Sequence, residues 1–256
     1  MHGIILRKTK VKESDLVVNW LTDDDLILAA YAGHIHGSKS FPNGLELMTV
    51  YEIELVSRPN AMARLNAAYH VEQFDNLMRE PSANACACAA LEAISNICPD
   101  DSIVIDLFQT LLQTFAVMHT APELSDMLLT WFEAFLLHQL GVLPNLDICA
   151  QCARPLLKSG YYREEFGFIC SDCASNDTNI PSFVLESIRR LRTQDIRTTV
   201  QNAIAKNNEI QRKRVISQTL RFLVAVMVEN SGMKKLSAHK YMADIALNMP
   251  DLFNLI

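Results

Sequence analysis

With 256 residues, half of them apolar, the chain is long enough to bury a sizeable core, while 23 Lys and Arg against 29 Asp and Glu speak against a uniformly basic nucleic-acid binder. No apolar stretch approaches the roughly 20 residues that span a bilayer. Met1–Leu6 runs into Arg7, Lys8 and Lys10 without a small-residue cleavage site, so neither a membrane partner nor secretion is expected.

The charge is segregated along the chain. Residues 1–80 carry 8 basic and 11 acidic side chains, residues 81–176 carry 3 and 11, and residues 177–256 carry 12 and 7, which permits a local basic surface in the last third.

In chain order, the first 80 residues predict five strands, at Gly3–Leu6, Asp15–Thr22, Leu26–Ala32, Glu46–Val56 and Leu65–Phe74, each enriched in β-branched or aromatic residues. Asp23, Asp24 and Asp25 sit between the second and third as a polar hairpin tip, which explains them without a bound cation. Five such strands suit a small barrel of the OB type; a generic five-stranded sheet would give a similar pattern. His34 and His36 would share one face of a strand as half a metal site, but no third ligand is identifiable nearby, and a loop is the simpler reading.

From Pro81 the pattern turns helical, placing a domain boundary there: residues 1–80 as a β-barrel and 81–256 as a helical domain, an α+β chain overall. Helices are expected over Ala85–Ile97, Ile103–Met118, Leu124–Leu136 (between Pro122 and Gly141), Phe183–Arg192, Glu209–Val228 and about Ser237–Leu247. Residues at about 144–181 interrupt this bundle with loop residues and four of the seven cysteines.

Those four carry the clearest chemical signal. Cys149 and Cys152 form one Cys-x-x-Cys pair, and Cys170 and Cys173 a second, separated by a spacing typical of zinc. Two such turns present four thiolates as a tetrahedron, which closes the coordination and points to a structural rather than a catalytic ion. Tyr161, Tyr162, Phe168 and Ile169 flank Glu164–Gly167, predicting a hairpin between the turns. An odd cysteine count with paired spacing fits a reducing compartment. Cys86, Cys88 and Cys98 read as small core residues.

The chain has no Gly-rich phosphate loop, no G-x-S-x-G and no H-E-x-x-H, so nothing favours an enzyme. Basic clusters remain at Arg189, Arg190 and Arg192 and at Arg212, Lys213 and Arg214, with Arg197, Lys206 and Arg221 nearby. Three consecutive charges on a helix spread over about 200°, so one cluster cannot turn wholly to one phosphate backbone. Arg7, Lys8, Lys10, Lys12 and Lys39 belong to the strand and loops that border the binding face in an OB barrel.

The run Gly3–Leu6, then Glu13–Leu16, then Gly33–Lys39, followed by a helical region broken by Gly141–Pro144, Cys149/Cys152 and Gly167–Cys173, resembles the RecO family of bacterial DNA repair proteins over nearly the whole chain. The segment Arg221–Lys235 is also similar to the family's last long helix and basic turn. The resemblance implies an OB-fold followed by a zinc-bearing helical domain in a bacterial cytoplasmic, nucleoid-associated protein. It further implies non-covalent recombination mediation: binding single- and double-stranded DNA, annealing strands, and assisting RecA loading, with RecR, onto strands coated by single-stranded-DNA-binding protein.

One segment departs from the family. Where its members are typically rich in Arg and Lys after the third strand, Tyr31–Phe41 retains only Lys39 and two histidines. The phosphate contacts expected are therefore Arg7, Lys8 and Lys39 on the barrel, joined by Arg189, Arg190, Arg212 and Lys213. The alternative is a protein-interaction adaptor whose DNA binding is weak or partner-dependent.

Overall fold

A computed structural model describes residues 1–35, 39–58, 61–156, 160–164, 166–204, 209–231, 236–249 and 252. His36, Glu165, Lys206 and Lys235 lie outside the described residues.

Five strands form the N-terminal unit: β1 (His2–Lys12), β2 (Asp15–Thr22), β3 (Ile27–Ala32), β4 (Thr49–Arg58) and β5 (Ala61–Gln73). They close into a barrel in the order β1-β2-β3-β5-β4, with β1 returning to β4. Closure is made by a short parallel pairing of β3 with β5, through Ala30 with Ala63 and Tyr31 with Arg64, while the other pairings are antiparallel. This is the OB type of barrel. Alternation along the strands divides two cores. Ile5, Trp20, Tyr51, Ile53 and Leu65 fill the barrel interior, where Trp20 and Tyr51 meet edge to face at 5.7 Å. Their neighbours Ile4, Leu6, Leu21, Met48 and Val50 point outward and join the core of the helices.

The first strand is longer than expected. Arg7–Lys12 are exposed yet remain paired with β2, so this half of the hairpin projects beyond the core. Residues 46–48 precede β4 rather than belonging to it. Met48 has φ 57° there, and the Glu46 amide donates to the Tyr51 hydroxyl at 2.5 Å. His34 is exposed in a loop with φ 56°, not on a strand.

The helices are α1 (Asp75–Arg79), α2 (Pro81–Ile97), α3 (Leu107–Thr120), α4 (Ser125–Gln139), α5 (Ser182–Leu191), α6 (Ile196–Ile204), α7 (Glu209–Ser231) and α8 (Ser237–Ile245). α2 is central because its Ala- and Cys-rich sequence buries small side chains around most of its circumference. It packs on α4, α7, α8 and the outside of β1. Helix α4 stops before Gly141, whose own amide donates to His138 O and whose φ of 69° lets the Val142 and Leu143 amides return to Leu137 O.

Among the helices, three depart most from the sequence expectation. Helix α3 starts at Leu107, not Ile103, because residues 101–104 instead lie along the barrel: the Ile27 amide donates to Ser102 O at 2.9 Å and the Asp101 amide to Ile27 O at 2.7 Å. Helix α1 is too short to give a period. Helix α6 has its signal in Asp195, whose carboxylate accepts the Thr198 amide at 2.7 Å as an N-cap does.

Candidate metal centre and basic surfaces

The segment between α4 and α5 folds as a small ribbon. Strands β6 (Gly160–Arg163), β7 (Gly167–Ile169) and β8 (Thr178–Ile180) form a sheet in the order β7-β6-β8. The β6–β7 hairpin has the expected partners, Tyr161 opposite Ile169 and Tyr162 opposite Phe168. Strand β8 has a sequence too short and polar to announce itself.

The ribbon brings Cys149, Cys152, Cys170 and Cys173 together, with all four sulfurs within 4.8 Å of one another. Cys152 Sγ and Cys170 Sγ are 3.7 Å apart. A tetrahedral ion with metal–sulfur bonds of about 2.3 Å requires sulfurs about 3.8 Å apart, so the donor set fits a four-cysteine metal centre. The two turns are joined by backbone, since the Ala150 amide donates to Phe168 O at 2.7 Å. The Cys170 amide points at Cys149 Sγ from 3.3 Å. Burial pushes the Cys149 thiol up, but this amide and those of Cys152 and Gln151 outweigh it and bring the thiol to about 6, favouring the thiolate that a metal needs.

Arginines surround the thiols. Arg154 donates to Asp172 at 2.7 Å, joining the loop of the first cysteine pair to that of the second. Arg163 forms a two-pronged pair with Asp177 at 2.7 and 2.9 Å, which holds that carboxyl down to about 2. Both guanidiniums are further favoured by the negative charge of the cysteines, the residual charge a divalent ion among four thiolates would retain. Sequence reasoning passed over both; their only signal was an Arg close to each cysteine-bearing turn.

Arg189 belongs to the same construction. From α5 its guanidinium donates to the carbonyls of Leu146 and Leu156, the latter at 2.5 Å, and lies 3.3 Å from Asp147. Arg192 reaches the same Asp147 at 2.6 Å. These acceptors are at the two ends of the loop that carries Cys149 and Cys152. An arginine so occupied is a strut of the ribbon, whereas the sequence had suggested a phosphate contact.

The other basic residues divide between two places. Arg7 is exposed on the projecting β1–β2 hairpin with Lys10 and Lys12, and Lys39 is exposed in the loop after β3. Lys8 is partly committed: its ammonium donates to Leu45 O at 2.5 Å and lies 3.8 Å from Glu46. Arg190 and Arg212 line one cavity of about 420 Å³ between α4, α5, α6 and α7, with Met127, Leu191, Val215 and Ile216 as its apolar walls. Among the described residues Arg212 Nε is buried without a hydrogen-bond partner, while one of its terminal nitrogens donates to Glu123 O at 3.4 Å. Lys213 is half-buried beside Arg212 on α7, and burial raises the Asp126 carboxyl against the opposing charges of Arg212 and, less strongly, Lys213.

An OB-type barrel thus leads into helices that carry a ribbon whose four cysteines are a donor set fit for one metal ion. Residues 78–236 match the family described as Recombination protein O C terminal, more than half of the chain, and the chain belongs to the RecO family. The DNA repair protein RecO of Dehalococcoides mccartyi strain 195 is 28% identical over 228 residues, 87% of this chain and 89% of that protein. Its namesake in strain CBDB1 is 30% identical over 182 residues, covering 70% and 71% of the two chains. The DNA repair protein RecO of Anaeromyxobacter dehalogenans strain 2CP-C is 29% identical over 178 residues, 68% and 70%. No helix among the described residues is long and apolar enough to cross a membrane.

Proposed function

We propose that the chain is a DNA repair and recombination mediator that binds single- and double-stranded DNA, anneals strands and, with RecR, assists RecA loading onto DNA coated by single-stranded-DNA-binding protein. It acts by binding, without turnover, in the bacterial cytoplasm at the nucleoid. Membership of the RecO family, whose relatives are named for DNA repair, carries this reading. Zinc is the ion proposed for the four thiolates; it would cross-link the ribbon and offer no open coordination position. We take residues 1–80 and 81–256 as the two domains.

The phosphate contacts proposed are Arg7, Lys39 and, with a weaker share, Lys8 on the barrel, and Arg190, Arg212 and Lys213 on the helices. Arg189 is proposed with a weaker share, because its Nε and one terminal nitrogen are engaged within the ribbon. The exposed hairpin supports the barrel set, since extended strands with solvent-facing cations can follow a nucleic-acid backbone without a rigid groove. The experiment is fluorescence anisotropy of the metal-loaded protein with labelled single strands and duplex across a salt series. Reversing charge at Arg7, Lys8 and Lys39 should weaken binding to every sequence and flatten the salt dependence by about 0.7 per lost phosphate contact on single strands. Unchanged affinity and slope would remove the barrel assignment.

A second reading, an adaptor that docks partner proteins and handles DNA only with them, is favoured by the acidic residues 81–176 and by the intramolecular engagement of Lys8. Complex formation with a RecR-like or single-strand-binding partner, without DNA binding by the chain alone at low salt, would select it.

A further inference from the structure

Helix α5 faces two ways. Arg189 and Arg192 reach from it to the ends of the cysteine-bearing loop, at Leu146, Asp147 and Leu156. Ser187, Arg190 and Leu191, on its other side, line the cavity that Arg212 of α7 also lines. The ribbon also grips α7. Tyr162 donates to Glu229 at 2.5 Å, and Phe222 packs on Tyr162 and Phe168 with centroids 5.2 and 5.3 Å apart. The ribbon is thus a brace between the two helices that supply the cavity's two arginines.

The first cysteine pair is a loop with few apolar side chains of its own. The Cys149 amide donates to Arg154 O and the Leu156 amide to Asp147 O, each at 2.8 Å, and Arg189 closes the ends. Without an ion, the four sulfurs are left to the Ala150–Phe168 hydrogen bond, the Arg154–Asp172 pair and the loop's own end-to-end bonds, a weaker hold under which the loop's ends can separate. Arg189 would have to follow one carbonyl or the other, and α5 with it, since a guanidinium fork cannot keep acceptors that move apart.

We propose that the metal centre sets the separation of Arg190 and Arg212, with Arg189 as the positioning residue that passes metal occupancy from the ribbon to α5. The cavity is then a metal-dependent site for an oxyanion, because guanidiniums from two separate helices line it and Arg212 Nε has no hydrogen-bond partner among the described residues. The coupling shares these two arginines with the proposed function but does not depend on it, since it is read without DNA.

The chain holds a reporter. Trp131 is one of two tryptophans, and its indole donates to Gln194 O at 2.8 Å, at the foot of α5 beside the cavity. The other, Trp20, is sealed inside the barrel. The signal of Trp131 is the emission of the full-length, metal-loaded protein minus that of Trp131→Phe. Removing the metal with a chelator should shift this emission to the red. In Arg189→Met the shift should be lost, while one cobalt(II) per chain still gives a tetrathiolate spectrum at an affinity lowered ~10–100-fold, as for other residues that orient ligands. Asp147→Asn, which leaves the carbonyl contacts of Arg189, should give a smaller drop and a partial shift. A wild-type protein whose Trp131 emission ignores chelation would overturn the coupling, as would Arg189→Met with both the full shift and wild-type metal affinity. Inorganic pyrophosphate then tests the cavity: it should quench Trp131 in the loaded protein and lose at least tenfold in affinity on chelation or in Arg190→Ala. Metal-independent quenching would separate the anion site from the ribbon.

Discussion

The barrel and the ribbon are both small, mainly antiparallel β structures, yet they are held by different means. The barrel closes on itself, and its alternating residues fill an interior in which Ile5, Trp20 and Tyr51 are wholly buried. The ribbon has two open sheet edges and only Phe168, Ile169 and their few neighbours as apolar filling, which lean on Phe222 of α7. What it lacks in core it makes up with four thiols and three arginine clamps. A unit with a core carries its stability with it; a unit built on ligands and charges is stable only when its ion is bound.

The largest expected effect tests this difference directly. Structural zinc contributes an apparent ~10–16 kcal/mol in small zinc-binding peptides. Cys170→Ser, or chelation of the wild type, should therefore abolish hydrogen-exchange protection at the Cys149, Ala150 and Cys170 amides. The amides of Ile5 and Ile53 in the barrel should keep theirs. Loss of protection in both regions together would mean that the barrel has no independent stability, and the comparison would fail.

The converse experiment is Trp20→Ala. Deleting a wholly buried indole from a close-packed interior costs about 3–5 kcal/mol, and here it also removes the edge-to-face contact with Tyr51. The loss, measured by urea unfolding, should be the same with and without metal, because no ribbon residue lines that interior.

How far each region was legible follows from the same physics. The barrel could be read where β-branched and aromatic residues run together, as in β2, whose two faces are both buried, and the four cysteines because metal geometry fixes their spacing. The outer half of β1 could not, because Arg7–Lys12 are stabilised as a strand by pairing with β2 and not by burial. Ile103 and Ile105 resemble the start of a helix in sequence. They are 67% and 70% exposed, and only Val104 between them is buried, an alternation imposed by the barrel edge. Arg189 looks like a surface cation because its acceptors are backbone carbonyls, which leave no trace in a sequence.

A third kind of support, invisible because its members lie far apart in sequence, is the buried triad of Glu92 on α2, His239 on α8 and Glu133 on α4. Its contacts are 2.6 Å to Glu92 and 2.7 Å to Glu133, with His239 and Glu133 fully buried. Burial alone would push the imidazole down, but Glu133 and Glu92 override it and raise it to about 9. A raised value stabilises the fold fully below the ordinary imidazole value near 6.5, and the contribution is lost as the pH rises through about 9. Unfolding free energy should thus fall between those limits in the wild type and stay flatter in His239→Leu, which leaves the carboxylates without their cation and costs roughly 3–5 kcal/mol near neutrality. This loss should not depend on metal either, which would place α8 with the barrel among the ion-independent parts. A metal-dependent loss would extend the ribbon's conditional stability into the bundle.

The smallest effect concerns the joint between barrel and helices. Asp106 precedes α3 in the left-handed region, with φ 63°, and makes no side-chain cap. The cap comes from across the joint: Asp25, at the β2–β3 hairpin tip, accepts the Asp106 amide at 2.7 Å and the Phe108 amide at 2.8 Å. Its carboxylate thus satisfies donors that a helix start leaves open and places negative charge at the positive end of α3. Asp25→Ala should cost about 0.5–2 kcal/mol, as loss of a cap does elsewhere. Asp25→Asn should cost less, since an amide oxygen can still accept one of the two bonds but brings no charge. Hydrogen exchange should show the change at the first turn of α3 and at the Ile27 and Asp101 amides, with the ribbon untouched. An effect confined to the hairpin would mean that α3 is positioned by apolar packing alone. The tip would then be only the polar turn that its three aspartates suggest.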